Sequence, residues 1–439
     1  MGLIGAESPS DEQSPERLSL DELRQVQLER LRRSIRHACE NVLHYQRRFA
    51  EHGVSPQDLH TLEDLARFPF LTKQDFRANY PFGLFAVPRD KIVRIHTSSG
   101  TSGKPTVVGY SAEDLQIWAR LVGRCIRAAG ARTGDIVHIA YDYGLFTGGL
   151  GSHAGAEHLG CTAIPVSSGR SAWQIELMED FRPDILMATP SYALNLADAF
   201  EARGLDPHES SLRIGIFGAE PWSEATRAAL QLRLGLEAFD LYGLAEVMGP
   251  GVACETAGGV HGLTLWEDHV YPEVIDPSTG RVLPDGEEGE LVLTSLTKEA
   301  LPVIRYRTHD LTRLLPAQHG PMRRIARVSG RTDDMLVIHG VNVFPSQIDA
   351  LLARSGGFSP HYKLEISRSG PLDDLTVHAE TLSRQYQSDA QLRAAAEALM
   401  QEIKTFVGVS VTVVVHRAGT IERAPGKATR LIEPRAAAR

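Results

Sequence analysis

Between Asp135 and Leu241, short apolar runs alternate with stretches of helical periodicity. This alternation limits the chain more tightly than any other feature, because it predicts a parallel sheet with helices between the strands. Ile136–Tyr141, Thr162–Val166, Ile185–Ala188, Ile214–Phe217 and Ala238–Leu241 read as short buried strands. Thr147–Leu159 and Ala172–Phe181 read as helices between them. Sites in such sheets collect outside the carboxyl ends of the strands. The segments Tyr141–Leu150, Phe217–Trp222 and Tyr242–Gly251 each follow a strand, so they are the first places to look for one.

The chain has 439 residues, enough for more than one domain. Residues 1–17 are polar and acidic and read as a disordered tail. Ser19 and Glu22 form a capping box, and Leu23, Val26, Leu31, Ile35, Ala38 and Val42 follow at helical spacing. The many arginines of this helix read as a solvated face. Thr72 reads as the cap of another helix. Val270–Leu315 is richer in β patterns and predicts a small β subdomain. The character changes again at Gly330–Asp334. Beyond it come a strand (Met335–His339), a helix from Ser346, strands at Tyr362–Ser367 and Leu375–Glu380, a helix (Asp389–Phe406) and a last strand (Val409–His416). The predicted fold class is α/β. A large N-terminal α/β domain, 18–332, carries a parallel sheet and the β subdomain, and a small mobile C-terminal α+β domain spans 333–439.

The net charge is −9 and no long basic stripe occurs, which argues against a nucleic-acid partner. Cys39, Cys125, Cys161 and Cys254 are scattered without a C-x-x-C pair, as expected of reduced thiols in the cytoplasm. No apolar run approaches membrane-spanning length, and no signal-peptide pattern is present.

Ile95–Tyr110 reads I-H-T-S-S-G-T-S-G-K-P-T-V-V-G-Y. Thr97, Ser98, Ser99, Thr101 and Ser102 offer hydroxyl donors, Gly100 and Gly103 let backbone N–H groups converge, and Lys104 brings a point charge. Together they describe a polyphosphate cradle. Only two residues separate the glycines, and Pro105 stands where a Walker loop needs Ser or Thr, so the spacing rejects that loop.

The loop T-S-S-G-T-S-G-K-P resembles the phosphate loop of the adenylate-forming acyl-CoA ligases. F-P-F-L-T-K-Q-D (68–75), Y-G-L-F-T-G-G-L-G (143–151), F-G-A-E-P-W (217–222), Y-G-L-A-E-V-M-G-P-G (242–251) and R-T-D-D-M-L-V-I-H-G-V-N-V-F-P (331–345) are similar to the phenylacetate–CoA ligase family. The resemblance implies an acid–thiol ligase that uses ATP, Mg²⁺ and coenzyme A. An aryl carboxylate would form an acyl-adenylate and then a thioester. The alternative is an aryl-acid adenylating enzyme with a non-CoA acceptor. Partners would be small molecules only, with a homodimer allowed for.

Residue roles follow from the same resemblance. It puts Lys73 near the ATP phosphates. Glu246 alone would read as a solvated loop glutamate; the resemblance makes it the magnesium-binding carboxylate, with Ala245 where the family carries a hydroxyl. It assigns Asp310 to the ribose hydroxyls with Arg331 beside it, although the two could equally be an ordinary ion pair. Gly218, Ala219, Glu220 and Pro221 would flank the adenine, with Tyr242 nearby. Asp333 would be the hinge. Lys427, in A-P-G-K-A, would be the catalytic lysine, although Glu422 stands where a proline is expected. The aryl pocket would be built by Tyr141, Phe146, Gly149, Ala219, Tyr242, Gly243 and Pro250, which offer aromatic faces and little charge. Asp142 is unexpected there; it either points to solvent or meets a substituent on the ring. Cys254, His261 and His269 cluster, but a single cysteine supports no zinc tetrad. His269 reads as a packed structural residue.

Overall fold

The computed structural model describes residues 17–98, 105–259, 262–334, 336–339, 341–368, 373–382, 388–423 and 431–432. Helix α1 (Leu20–Asn41) begins at the expected box: the Ser19 hydroxyl accepts from the Glu22 N–H, and the Glu22 carboxylate accepts from the Ser19 N–H at 2.7 Å. Its buried stripe includes Gln27 where the periodicity pointed to Val26. The reason is polar: the Gln27 amide donates to the Glu267 carbonyl at 3.0 Å. Nor is the arginine face only solvated. Arg30 donates to the Asp268 carbonyl, and Arg32 to the carbonyls of Leu59 and His60, while Arg24, Arg33 and Arg36 are exposed. Helices α2 (Leu43–Glu51) and α3 (Lys73–Ala78) follow, the latter capped by Thr72 and Asp75 reciprocally. Strands β1 (Arg94–Thr97) and β2 (Val107–Tyr110) pair antiparallel, so the cradle segment is the connection of a hairpin.

After α4 (Ala112–Ala128) the chain builds the main sheet. Its parts are β3 (Ile136–Ile139), α5 (Gly148–Leu159), β4 (Thr162–Ile164), α6 (Ser171–Phe181), β5 (Ile185–Ala188), α7 (Pro190–Ala202), β6 (Ile214–Gly218), α8 (Glu224–Leu234) and β7 (Glu237–Tyr242). The parallel part has the order β4-β3-β5-β6-β7. The sheet first grows one way from β3 and then the other, which puts a topological switch point between β3 and β5. β3 and β4 each end two residues short of the predicted runs, and beyond them the Ser167 N–H donates to the Ile139 carbonyl at 3.2 Å.

β8 (Ala253–Cys254) and β9 (Leu263–Leu265) extend this sheet antiparallel. The β subdomain is a separate antiparallel sheet. It contains β10 (Val270–Ile275), β11 (Gly289–Ser295) and β12 (Tyr306–Thr312). β13 (Leu314–Leu315) and β14 (Arg324–Ile325) return to the edge of the main sheet. β15 (Gly330–Arg331) then pairs with β12, setting Arg331 directly opposite Asp310.

The C-terminal part comprises β16 (Leu336–Ile338), β17 (Val341–Val343), α9 (Pro345–Arg354), β18 (Phe358–Arg368), β19 (Asp373–Thr381), α10 (Asp389–Phe406), β20 (Thr412–His416) and β21 (Leu431–Ile432). It has a hydrophobic core of its own, including Ile348, Leu364, Val377 and Ile403. It is therefore the α+β domain the sequence predicts. Among the described residues, no helix is long and apolar enough to cross a membrane.

Candidate active site

The segments singled out by the strand pattern come together at the carboxyl edge of the main sheet. The cradle hairpin is tied to the segment after β3, since the Thr97 N–H donates to the Leu145 carbonyl at 2.9 Å. Ser99, Gly100, Thr101, Ser102, Gly103 and Lys104 lie outside the described residues. Ser98 is described, and its buried hydroxyl has no hydrogen-bond partner there. A buried hydroxyl normally finds an acceptor, and a phosphate oxygen would satisfy this one.

Gly218 closes β6, where an added Cβ would stand 2.1 Å from the Leu241 carbonyl oxygen; only glycine lets β6 and β7 run together there. Ala219 adopts φ +71°, a turn that costs a side-chain-bearing residue strain. Glu220 accepts from the Ser191 N–H at 2.7 Å, so its carboxylate ties this segment to the first turn of α7. Pro221 leads on to Trp222, whose ring lies under the guanidinium groups of Arg227 and Arg327 at 4.8 and 5.0 Å.

Tyr242, at the end of β7, donates to Asp310 Oδ2 at 2.5 Å. Burial and the Asp310 carboxylate together push the Tyr242 phenol well above its usual range. Arg331 Nη1 donates to Asp310 Oδ1 at 2.7 Å, and its Nε and Nη2 fork onto Asp333 at 2.9 and 3.0 Å. One guanidinium thus joins the ribose candidate to the hinge candidate. Burial opposes charge on Asp333, yet the fork from Arg331 holds its pKa below the ordinary aspartate value, with His309 and Lys73 adding to the effect. Lys73, in the first turn of α3, therefore lies on the Asp333 side of the site.

Two residues here went unnoticed in the sequence. His309, next to Asp310, has φ +66° and meets the Thr332 hydroxyl at 2.9 Å. A histidine in the left-handed region marks local strain next to Asp310. Lys298 is buried, with its Nζ donating to the Glu246 carbonyl at 3.0 Å. Burial lowers its pKa to about 8, although Asp114 and Glu246 both favour the charge. The only trace of it in the sequence is a lone cation after the apolar run E-L-V-L-T-S-L-T.

Glu246 itself is buried, in the turn after β7. Among the described residues no cluster of three His, Cys, Asp or Glu could hold a metal ion. A single buried carboxylate nonetheless suits Mg²⁺, which takes oxygen ligands and keeps several waters.

The aryl-pocket candidates share this edge. Tyr141 is buried with its hydroxyl 3.5 Å from the Ile216 carbonyl, and Phe146 is half-buried. The Phe146 ring crowds Gly148 at the start of α5: a Cβ there would stand 2.5 Å from that ring and 3.3 Å from the Tyr141 Cβ. A Cβ on Gly149 would stand 2.5 Å from the Asp142 carbonyl oxygen, and one on Gly243 would stand 2.9 Å from Gly249 Cα. Pro250 is fixed by the Trp118 indole, which donates to its carbonyl at 2.7 Å. Asp142 is exposed, and its carboxylate is taken by the Ser168 hydroxyl, which places it on the rim.

Lys427 and His261 lie outside the described residues. Arg423, four positions before Lys427, is anchored by Glu380 at 2.6 and 3.0 Å. Asp198 of α7 lies 3.7 Å from the same guanidinium. Cys254 is a buried free thiol. His269 packs between the Thr297 hydroxyl (2.7 Å) and Asp268 (3.3 Å), the structural role expected of it.

Comparison with known proteins agrees with this geometry. The AMP-binding enzyme family matches residues 27–297, and the AMP-binding enzyme C-terminal domain matches residues 340–435. The chain is 56% identical to the phenylacetate–coenzyme A ligase of Aromatoleum evansii over 98% of both chains. A solved structure of 2-hydroxyisobutyryl-CoA ligase in its postadenylation state, in complex with R3-HIB-AMP, superposes with a TM-score of 0.90 at 29% identity, covering 98% of this chain and 94% of the other. The same ligase with 2-HIB-AMP and CoA in the thioesterification state gives 0.72 at 30% identity and equal coverage.

Proposed function

The chain belongs to the phenylacetate–coenzyme A ligase family of AMP-binding enzymes, and from that premise we propose that it activates phenylacetate or a close aryl acid as its coenzyme A thioester. In the first half-reaction the carboxylate oxygen attacks the α-phosphorus of ATP and pyrophosphate leaves, giving an aryl-acyl adenylate. In the second, the CoA sulfur attacks the acyl carbon and AMP leaves. The observation that carries this reading is that Tyr141 follows β3 and Tyr242 ends β7 at the same carboxyl edge of the main sheet, with Asp310 and Arg331 bonded in series to Tyr242. Tyr141 and Phe146 would then wall an apolar end for the acid, and Asp310 and Arg331 a polar end for the nucleotide sugar.

Asp310 would accept from the ribose hydroxyls, exchanging its present contact with Tyr242 for them. The Gly218–Pro221 segment would lie along the adenine, and the Thr97–Lys104 loop would hold the β- and γ-phosphates. Mg²⁺, bound through Glu246, would supply positive charge where two anions must meet. Lys427 would supply the rest during adenylation. The greater likeness to the postadenylation state favours a resting orientation on the adenylation side, with Asp333 as the pivot toward thioester formation. The four free cysteines suit a reducing cytoplasm.

The test is pyrophosphate release across a panel of acids, each with and without CoA. Phenylacetate or a ring-substituted analogue should give the highest kcat/KM, and AMP release should depend on CoA. A fatty acid as best substrate would overturn the pocket, and CoA-independent AMP release would overturn the acceptor.

A further inference from the structure

Two donors converge on consecutive carbonyls of the turn that carries Glu246. The Tyr110 hydroxyl reaches the Ala245 carbonyl at 3.3 Å, and Lys298 Nζ reaches the Glu246 carbonyl at 3.0 Å. The donors also touch each other, since the ammonium lies 4.7 Å from the centroid of the Tyr110 ring. Each comes from a different part of the chain. Tyr110 ends the strand that leaves the phosphate cradle, and Lys298 follows the β11 strand of the β subdomain.

The clamp is itself fixed. Tyr110 stacks on Trp118 at 4.9 Å. Asp114, fully buried in the first turn of α4, accepts from the N–H groups of Glu299 and Ala300 at 2.7 and 2.9 Å, and so holds the backbone just after Lys298. A buried ammonium is costly to desolvate unless it is paired or hydrogen-bonded. Packing alone would be better served here by methionine or leucine. The position instead spends a charge on a backbone carbonyl next to a functional carboxylate.

We infer that Lys298, with Tyr110, is a positioning residue that fixes the Glu246 carboxylate relative to the phosphate cradle, so that the metal–nucleotide site is preorganised before ATP arrives. The inference rests on the reading of Glu246 as the magnesium-binding carboxylate. Lys298 acts through the main chain and touches neither substrate nor metal in this role.

The test is calorimetric titration of the intact enzyme with ATP, with and without Mg²⁺, for wild type, K298M, Y110F and E246Q. Conversion of supplied aryl-acyl adenylate and CoA is measured alongside. K298M should lose about tenfold or more of the tightening that Mg²⁺ gives to ATP binding, while metal-free ATP binding and the thioester step stay within about twofold. Y110F, which removes one hydroxyl and little volume, should lose a few-fold in the same sense and decides the matter if K298M does not fold. E246Q should abolish the Mg²⁺ effect. If E246Q abolishes it while K298M and Y110F keep it, the positioning role is overturned and Glu246 stands. If E246Q keeps it, the reading of Glu246 falls and the inference falls with it. Equal losses by K298M with and without Mg²⁺ would make Lys298 a structural residue only, and would also overturn the inference.

Discussion

Arg331 shows how much can rest on one side chain. Its three nitrogens divide between Asp310 and Asp333, so the ribose candidate and the hinge candidate share a guanidinium. Lysine keeps the charge but not the planar fork. R331K is therefore expected to lower kcat/KM for ATP by about 10- to 100-fold, the scale of charged hydrogen bonds, and steady-state kinetics at saturating acid checks it. His138 matters to stability instead. It is fully buried in β3, meets Gln174 Oε1 at 2.9 Å, and burial lowers its pKa to about 4. Its folded pKa lies below its unfolded value of about 6.5, so protons bind the unfolded chain preferentially. The stability this histidine contributes is present above about pH 6.5 and is lost as pH falls toward 4. H138Q, whose amide nitrogen reaches the position of the imidazole Nε2 and keeps a donor toward Gln174, should flatten the decline; denaturant melts of both proteins across that window would show it, and parallel curves would rule His138 out as its cause.

Among the elements, the parallel strands were legible because β5 and β6 are buried on both faces and read as unbroken apolar runs. The capping boxes of α1 and α3 were legible for the opposite reason, that their logic is local. What escaped was non-local. Gln27 looked like surface until Glu267 supplied its acceptor, and nothing near Lys298 in sequence announces Glu246, 52 positions away. His309 escaped because a positive φ leaves no mark on a non-glycine residue. The candidate site residues come from long motifs, and Gly218 illustrates why such motifs are rigid. G218A would drive a Cβ into the Leu241 carbonyl and pry β6 from β7. It should cost about 1–3 kcal/mol or more, seen as a melting temperature several degrees lower; an unchanged melting temperature would mean the strands can separate freely there.

At the scale of the molecule, Asp198 of the large domain is met by two cationic side chains of the small one. Asp198 is held by Arg233 at 2.7 Å within its own domain, and from the C-terminal domain Arg423 approaches to 3.7 Å and His361 to 3.9 Å. With Asp198 41% exposed, such pairs are worth at most about 1 kcal/mol, a fitting scale for a contact that the proposed domain rotation would break. D198N should slow adenylation by no more than about fivefold and leave thioester formation at or above the wild-type rate, with the difference fading at high salt. Unchanged adenylation at low salt would show that the contact sets no orientation. In the proposed mechanism one chain runs two half-reactions, and Lys427 serves only the first. The most direct measurement is of both half-reactions in K427A: pyrophosphate release from acid and ATP, and thioester formation from supplied aryl-acyl adenylate and CoA. The account predicts a loss of about 10²–10³-fold or more in the first with the second within a few-fold of wild type; equal losses in both would contradict it.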